Sequence, residues 1–122
     1  MIVAVGVDII EVRRVQSALT NARTGARFRD RVFTAAEIEY CARRHNSPES
    51  YAARFAAKEA VMKTLGQACG WREIEVARQS GPPVIIVHGR AKVRAAALGI
   101  LRFHLALSHT AELATAYVIA ES

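Results

Sequence analysis

Apolar residues dominate MIVAVGVDII at the start of the chain, and the β-branched run Ile2 to Val7 predicts a short buried strand with Asp8 at its end. From about Glu11 the spacing changes. Val12, Val15, Ala18 and Leu19 recur at helical intervals, which turns Arg13 and Arg14 outward. TNARTG breaks that pattern and predicts a loop. TAAE, from Thr34 to Glu37, has the spacing of a capping box, in which hydroxyl and carboxylate satisfy free amides at a helix start. A short helix to about Arg44 is expected to follow. HNSPES then predicts a longer helix, with Ser47 as N-cap and Pro48 at the first helical position, running to about Gly66.

Beyond the loop GQACGW, polar and apolar residues alternate from Glu73 to Ala77, RQSGP supplies a turn, and PVIIV reads as a second strand. This is a hairpin signal. Arg90 to Leu98 predicts a helix that Gly99 terminates. ILRFHLALSH and ELATAYVIAE predict two further strands joined by a turn near Thr110. The order β, helices, β, β, α, β, β implies an α+β fold, a small antiparallel sheet with a long helix packed on it. So small a sheet leaves edge strands that a partner subunit can cover.

Composition adds a size and a compartment. With 122 residues, 52% hydrophobic and 23% charged, the chain reads as one globular domain over residues 1–122 with no linker. The longest apolar runs are too short to span a bilayer and carry no basic leader, so a cytoplasmic protein that does not insert in membrane is expected. Cys41 and Cys69 form neither CxxC nor a metal-ligand cluster and read as small part-buried side chains.

The net charge of +6 is unevenly placed. Arg13, Arg14, Arg23, Arg27, Arg29 and Arg31 crowd a region whose only acid is Asp30. Such a cluster steers an anionic partner, whether nucleic acid, membrane surface or acidic protein. Sparse aromatics and the lack of a stacking platform weigh against nucleic acid, which would also leave two acids, Asp8 and Glu59, unexplained.

Those acids carry the candidate chemistry. In RFAAKEAVMKTLG, Phe55, Glu59 and Lys63 follow at four-residue intervals and share a helix face that starts from an expected core residue, Phe55. Glu59 and Lys63 also have the spacing of an ordinary helix ion pair, worth only about 0.2–0.5 kcal/mol. Asp8 would cost several kcal/mol in an apolar strand unless a donor, cation or metal meets it. One alternative is that DIIE caps the next helix, with Asp8 accepting from its amides. Alongside or in place of that role, if the end of the strand meets the Glu59 face, two carboxylates can share a hard cation such as Mg²⁺, with Lys63 on the same phosphate. That is a phosphoryl-transfer site in outline.

VGVDIIEVRRV and RFAAKEAVMKTLG closely resemble the two signature blocks of the holo-[acyl-carrier-protein] synthase family, the small 4'-phosphopantetheinyl transferases. LALSHTAELATAYVIAES resembles that family's closing strands. The resemblance implies a Mg²⁺-dependent enzyme that moves the phosphopantetheine arm of coenzyme A to a serine of apo-acyl carrier protein, releasing adenosine 3',5'-bisphosphate. By the same match Asp8 and Glu59 are metal ligands, Lys63 contacts the pyrophosphate, and Pro83, Ser108 and His109 lie beside the coenzyme. Metal-bound water, Glu59 and His109 are all candidates for the general base.

Acyl carrier proteins are acidic, so the resemblance makes Arg13, Arg14 and Arg27, with Phe28 as apolar anchor, the carrier-docking surface. It also implies a homotrimer with active sites between subunits. Three stretches depart from the family pattern: Gly81-Pro82-Pro83 where Gly-Lys-Pro is common, GQACGW in place of a Gly-x-Gly loop, and a lengthened TNARTGAR.

Overall fold

A computed structural model describes residues 1–78 and 80–122. The chain runs β1 (Ile2–Glu11), α1 (Val12–Thr20), α2 (Gly25–Val32), α3 (Ala35–Ala42), α4 (Ser47–Leu65), a 3₁₀ turn (Trp71–Glu73), β2 (Ile74–Ala77), β3 (Val84–Val87), α5 (Gly89–Ala97), β4 (Arg102–His109) and β5 (Leu113–Glu121). Strands β1, β5 and β4 form an antiparallel sheet in that order, while β2 and β3 pair as a separate hairpin. The α+β expectation holds. The turn expected over RQSGP includes Gln79, which lies outside the described residues.

Three local expectations shift. β1 does not stop at Val7, because Asp8, Ile9, Ile10 and Glu11 continue the ladder opposite Ala116, Thr115, Ala114 and Leu113. Asp8 is therefore an interior strand residue and caps nothing; the N-cap of α1 is Glu11, and no side chain bonds there. The arginine-rich stretch after TNARTG folds as α2, an element that no apolar periodicity in GARFRDRV announced. The N-cap of α4 is Asn46 rather than Ser47, a shift of one residue, and Gly66 ends that helix in the left-handed conformation at φ 68°. The capping box forms as expected, with Glu37 N donating to Thr34 Oγ1 at 3.2 Å and Thr34 N to Glu37 Oε1 at 2.8 Å.

Alternation on the three-stranded sheet decides what faces α4. Ala4, Gly6, Asp8 and Ile10 of β1 point inward, as do Ala114, Ala116, Val118 and Ala120 of β5, and Val3, Val5, Val7 and Ile9 point away and remain exposed. Small residues line the contact from the helix side too, where Ala53, Ala56, Ala57 and Ala60 are buried. Alanine on alanine lets α4 lie close to the sheet. At Gly6 the approach is closest: a Cβ there would collide with the carbonyl of Ala60 and come within 3.1 Å of Thr64 Cγ2. A glycine inside a β-branched strand marks this kind of backbone approach.

α4 is buried over most of its circumference, between the sheet and the other helices, and even Arg54 and Lys58 are enclosed. One cluster beneath its C-terminal half joins Val61, Leu65, Ile74, Val118 and Ile100, and a second gathers Val12, Val15, Val32, Phe33, Cys41 and Tyr51 around its N-terminal half. Between α3 and α4 lies a buried ion pair that sequence patterning did not reveal. Lys58 Nζ, fully enclosed, donates to Glu37 Oε1 at 2.8 Å, Trp71 O at 3.1 Å and Ile74 O at 2.5 Å. Val76 N donates to the other Glu37 oxygen at 2.8 Å. Every partner is satisfied, so the pair ties the segment Trp71–Val76 to the central helix.

Candidate active site

From Ser50 to Leu65, α4 buries every side chain except Phe55, Glu59, Met62 and Lys63. The helix repeat places these four on one stripe, and that stripe opens beside Asp8 of β1. Phe55, expected in the core, is half-buried and forms a wall where the core meets solvent. A cavity of about 290 Å³ results, lined by Asp8, Glu59, Phe55, Phe28, Arg14 and the apolar residues Ile9, Ile10, Val15 and Ala18. Two acids far apart in sequence thus share one hollow. Gly6 and Ala60 explain their convergence, since each stands next to or near an acid and together they set the distance between strand and helix.

Lys63 answers what compensates Asp8. Its ammonium donates to Asp8 Oδ1 at 3.2 Å and to the main-chain oxygen of Val7 at 2.8 Å. No ion pair joins Glu59 and Lys63 among the described residues, so the ordinary helix pairing is displaced by a contact across elements. Burial, and then the neighbouring Asp8 charge, push the Glu59 carboxyl above the usual range, while Lys63 opposes the rise. Two acids thus face two cations, Arg14 on the cavity wall and Lys63 on Asp8.

Other candidate residues divide by location. Arg14 and Phe28 line the cavity. Arg13, one residue earlier on α1, faces another hollow with Glu11, Gln16, Glu49 and Glu112. Arg27 is exposed on α2 beside Phe28. Ser108 and His109 end β4, on the far side of β5 from Asp8, and Pro83 begins the β3 side of the hairpin; none of the three lines the cavity.

Two contributors went unread in the sequence. Trp71 stacks on Phe55 with ring centroids 4.9 Å apart and stiffens the aromatic wall, and Gly6 admits the helix. Only Gly6 left a signal, as the lone glycine in a β-branched run.

A family model of the 4'-phosphopantetheinyl transferase superfamily matches residues 4–120. The chain belongs to that superfamily. It is 44% identical to the holo-[acyl-carrier-protein] synthase of Koribacter versatilis over 99% of both chains. Among solved structures it resembles the Neisseria meningitidis holo-[acyl-carrier-protein] synthase, with a TM-score of 0.87, 28% identity and 100% of both chains covered. A Bacillus anthracis holo-(acyl-carrier-protein) synthase, solved in complex with CoA (3',5'-ADP), matches with a TM-score of 0.78 and 32% identity, covering 100% of this chain and 98% of that one. Family, fold and enzyme class stand as the signature blocks implied. The chain is a phosphopantetheinyl transferase of the holo-[acyl-carrier-protein] synthase type.

Proposed function

We propose that the cavity between β1 and α4 is the phosphoryl-transfer centre of this phosphopantetheinyl transferase, with Asp8 and Glu59 as Mg²⁺ ligands and Lys63 as the diphosphate-binding cation. The reaction moves the 4'-phosphopantetheine arm of coenzyme A to a serine hydroxyl of apo-acyl carrier protein and releases adenosine 3',5'-bisphosphate. What carries the reading is the convergence of Asp8 and Glu59 on one hollow with Lys63 in contact.

The donor set fits the metal. Two carboxylates supply hard oxygen ligands, and Mg²⁺ usually takes one or two of them while water and substrate phosphate complete its octahedron. No group of three or more His, Cys, Asp or Glu side chains that could hold a metal exists among the described residues, which disfavours an all-protein cage. A bound Mg²⁺ would neutralise and orient the diphosphate oxygens.

The chain's own residues do the rest. Lys63, whose side chain is half-exposed, can swing from Asp8 toward the phosphate that gathers charge as the bond to the arm breaks. Phe55 and Phe28 wall the hollow with apolar surface, which strengthens the electrostatic terms inside. Of the candidates for accepting the serine proton, Glu59 is the side chain that lines the cavity. Arg14, beside the acids, meets the acidic carrier as its serine enters, and Arg27 and Phe28 extend that surface along α2.

Pro83, Ser108 and His109 reach a coenzyme only in a neighbouring subunit's site, and the sheet supports such an assembly. Its outer face exposes Val5, Val7, Ile9, Tyr117 and Ile119, a continuous apolar surface that a monomer would leave wet. A homotrimer in the cytoplasm covers it. Light scattering should give three chain masses per particle; one chain mass would remove the shared site.

The deciding experiment incubates the protein with coenzyme A, Mg²⁺ and an apo-carrier, then weighs the carrier by mass spectrometry. One added phosphopantetheine is expected, and none with EDTA or in Asp8→Asn. Undiminished transfer in EDTA would refute the metal assignment.

A further inference from the structure

Asp8 and Glu59 line one cavity with Arg14, and of the two acids Asp8 has an ion-pair partner among the described residues, Lys63. Lys63 Nζ sits 3.2 Å from Asp8 Oδ1 and is anchored from the other side by Val7 O at 2.8 Å, so it holds one oxygen of a carboxylate that a divalent cation would need. Glu59 has no hydrogen bond or ion pair of its own among the described residues. Among the described residues Asp8 has only Lys63 at its carboxylate, since its Thr115 contact is to the main-chain oxygen. Asp8 is 17% exposed and Lys63 54%, so the lysine covers the acid from the solvent side and is free to leave.

An ammonium and a divalent cation cannot share one carboxylate at short range without strong mutual repulsion. With Lys63 on Oδ1, a metal on the other Asp8 oxygen would face the ammonium across one carboxylate, so metal entry favours withdrawal of the ammonium. A diphosphate is the anion that rewards withdrawal, because it offers Lys63 a new partner and leaves Asp8 bare.

Resting on the proposed function, we infer that Lys63 is a displaceable counter-ion of Asp8 that makes divalent-cation binding and donor-diphosphate binding mutually dependent. In the empty enzyme the lysine occupies Asp8 and weakens the site for metal alone. When the diphosphate of coenzyme A draws Lys63 away, Asp8 becomes available and both ligands bind together. Thermodynamic linkage makes the coupling reciprocal, so whatever factor coenzyme A adds to metal affinity, metal adds to coenzyme A affinity. Lys63 is thus a positioning residue before it is a phosphate contact, and it keeps the acids from filling with metal in the absence of donor.

The test uses Mn²⁺ as a spectroscopic probe, titrated into the intact protein and followed by electron paramagnetic resonance, without carrier so that no transfer occurs. Lys63→Met should bind Mn²⁺ alone about tenfold more tightly than the unaltered protein, within the usual range of coupling between two sites. The enhancement of Mn²⁺ affinity by coenzyme A should shrink in the same variant. Lys63→Gln, which keeps a donor for Val7 O and loses the charge, should behave like Lys63→Met. Equal or weaker Mn²⁺ binding in both variants would overturn the inference. Asp8→Asn and Glu59→Gln separate this failure from that of the parent reading: if they bind Mn²⁺ as well as the unaltered protein does, the metal site itself is wrong.

Discussion

Replacing Gly6 with alanine tests how the site is held together. Gly6 lies two residues before Asp8 on the inner face of β1, and Ala60, its contact on α4, follows Glu59 directly. An alanine Cβ would lie 3.0 Å from the Ala60 carbonyl carbon, 3.1 Å from Thr64 Cγ2 and inside the radius of the Ala60 oxygen. The obstruction is backbone on a helix packed on both sides, so no side-chain rotation relieves it. Ordinary van der Waals contact returns only if strand and helix separate by roughly 1 Å, a displacement that in a catalytic site costs on the order of 10²-fold in rate.

Overpacking of this kind also destabilises by about 1–3 kcal/mol, which leaves a typical domain folded. Gly6→Ala should therefore remain folded at 25 °C with a lowered melting temperature, and its kcat/KM for carrier modification should fall about a hundredfold. Mn²⁺ binding should weaken in parallel, because two ligands set apart no longer close on one ion. Steady-state transfer kinetics, calorimetry and Mn²⁺ titration read the three effects. A variant with unchanged melting temperature and kcat/KM within about twofold would refute the claim that backbone contact fixes the spacing of the acids.

Further substitutions probe other parts of the argument. Lys58→Met strands the buried Glu37 carboxylate and frees two carbonyls, so a loss of about 3–5 kcal/mol is expected in urea unfolding followed by Trp71, the sole tryptophan; a loss below about 1 kcal/mol would show that the pair is not the tie described. Glu59→Gln should abolish transfer yet stabilise the metal-free protein at pH 7 by about 0.5–2 kcal/mol, the scale on which relieving a functional site acts. The sign follows from linkage: the folded state holds the Glu59 proton to higher pH than the unfolded state, so stability falls as pH rises from the unfolded through the folded pKa. Thermal melts across that range in EDTA should lose this slope in Glu59→Gln, and an unchanged slope would count against the raised carboxyl. Arg14→Glu should raise the Michaelis constant for carrier about tenfold at low salt and spare coenzyme A affinity, with Arg13→Glu, set among acids on another hollow, having a smaller effect. Equal damage by both would place carrier docking elsewhere.

Sequence alone determined the local chemistry: a capping box at Thr34 and Glu37, a helix ended by Gly66, a β-hairpin, two closing strands, and acids in signature blocks that fix the enzyme family. These were legible because caps, turns and periodicity act within a few residues. It did not determine how far β1 continues, because Ile9 and Ile10 suit a strand or a helix entrance and only pairing with β5 chooses. Nor could it see α2, whose arginines give no apolar period, or the buried tie between Glu37 and Lys58, which looks like surface charge until the fold encloses it. The partner of Lys63 was decided by tertiary structure as well. Spacing along the helix favours Glu59, but close packing at Gly6 brings β1 within reach, and an acid inside a strand, with no other ion-pair partner among the described residues, has more to gain from the ammonium than one on a helix face.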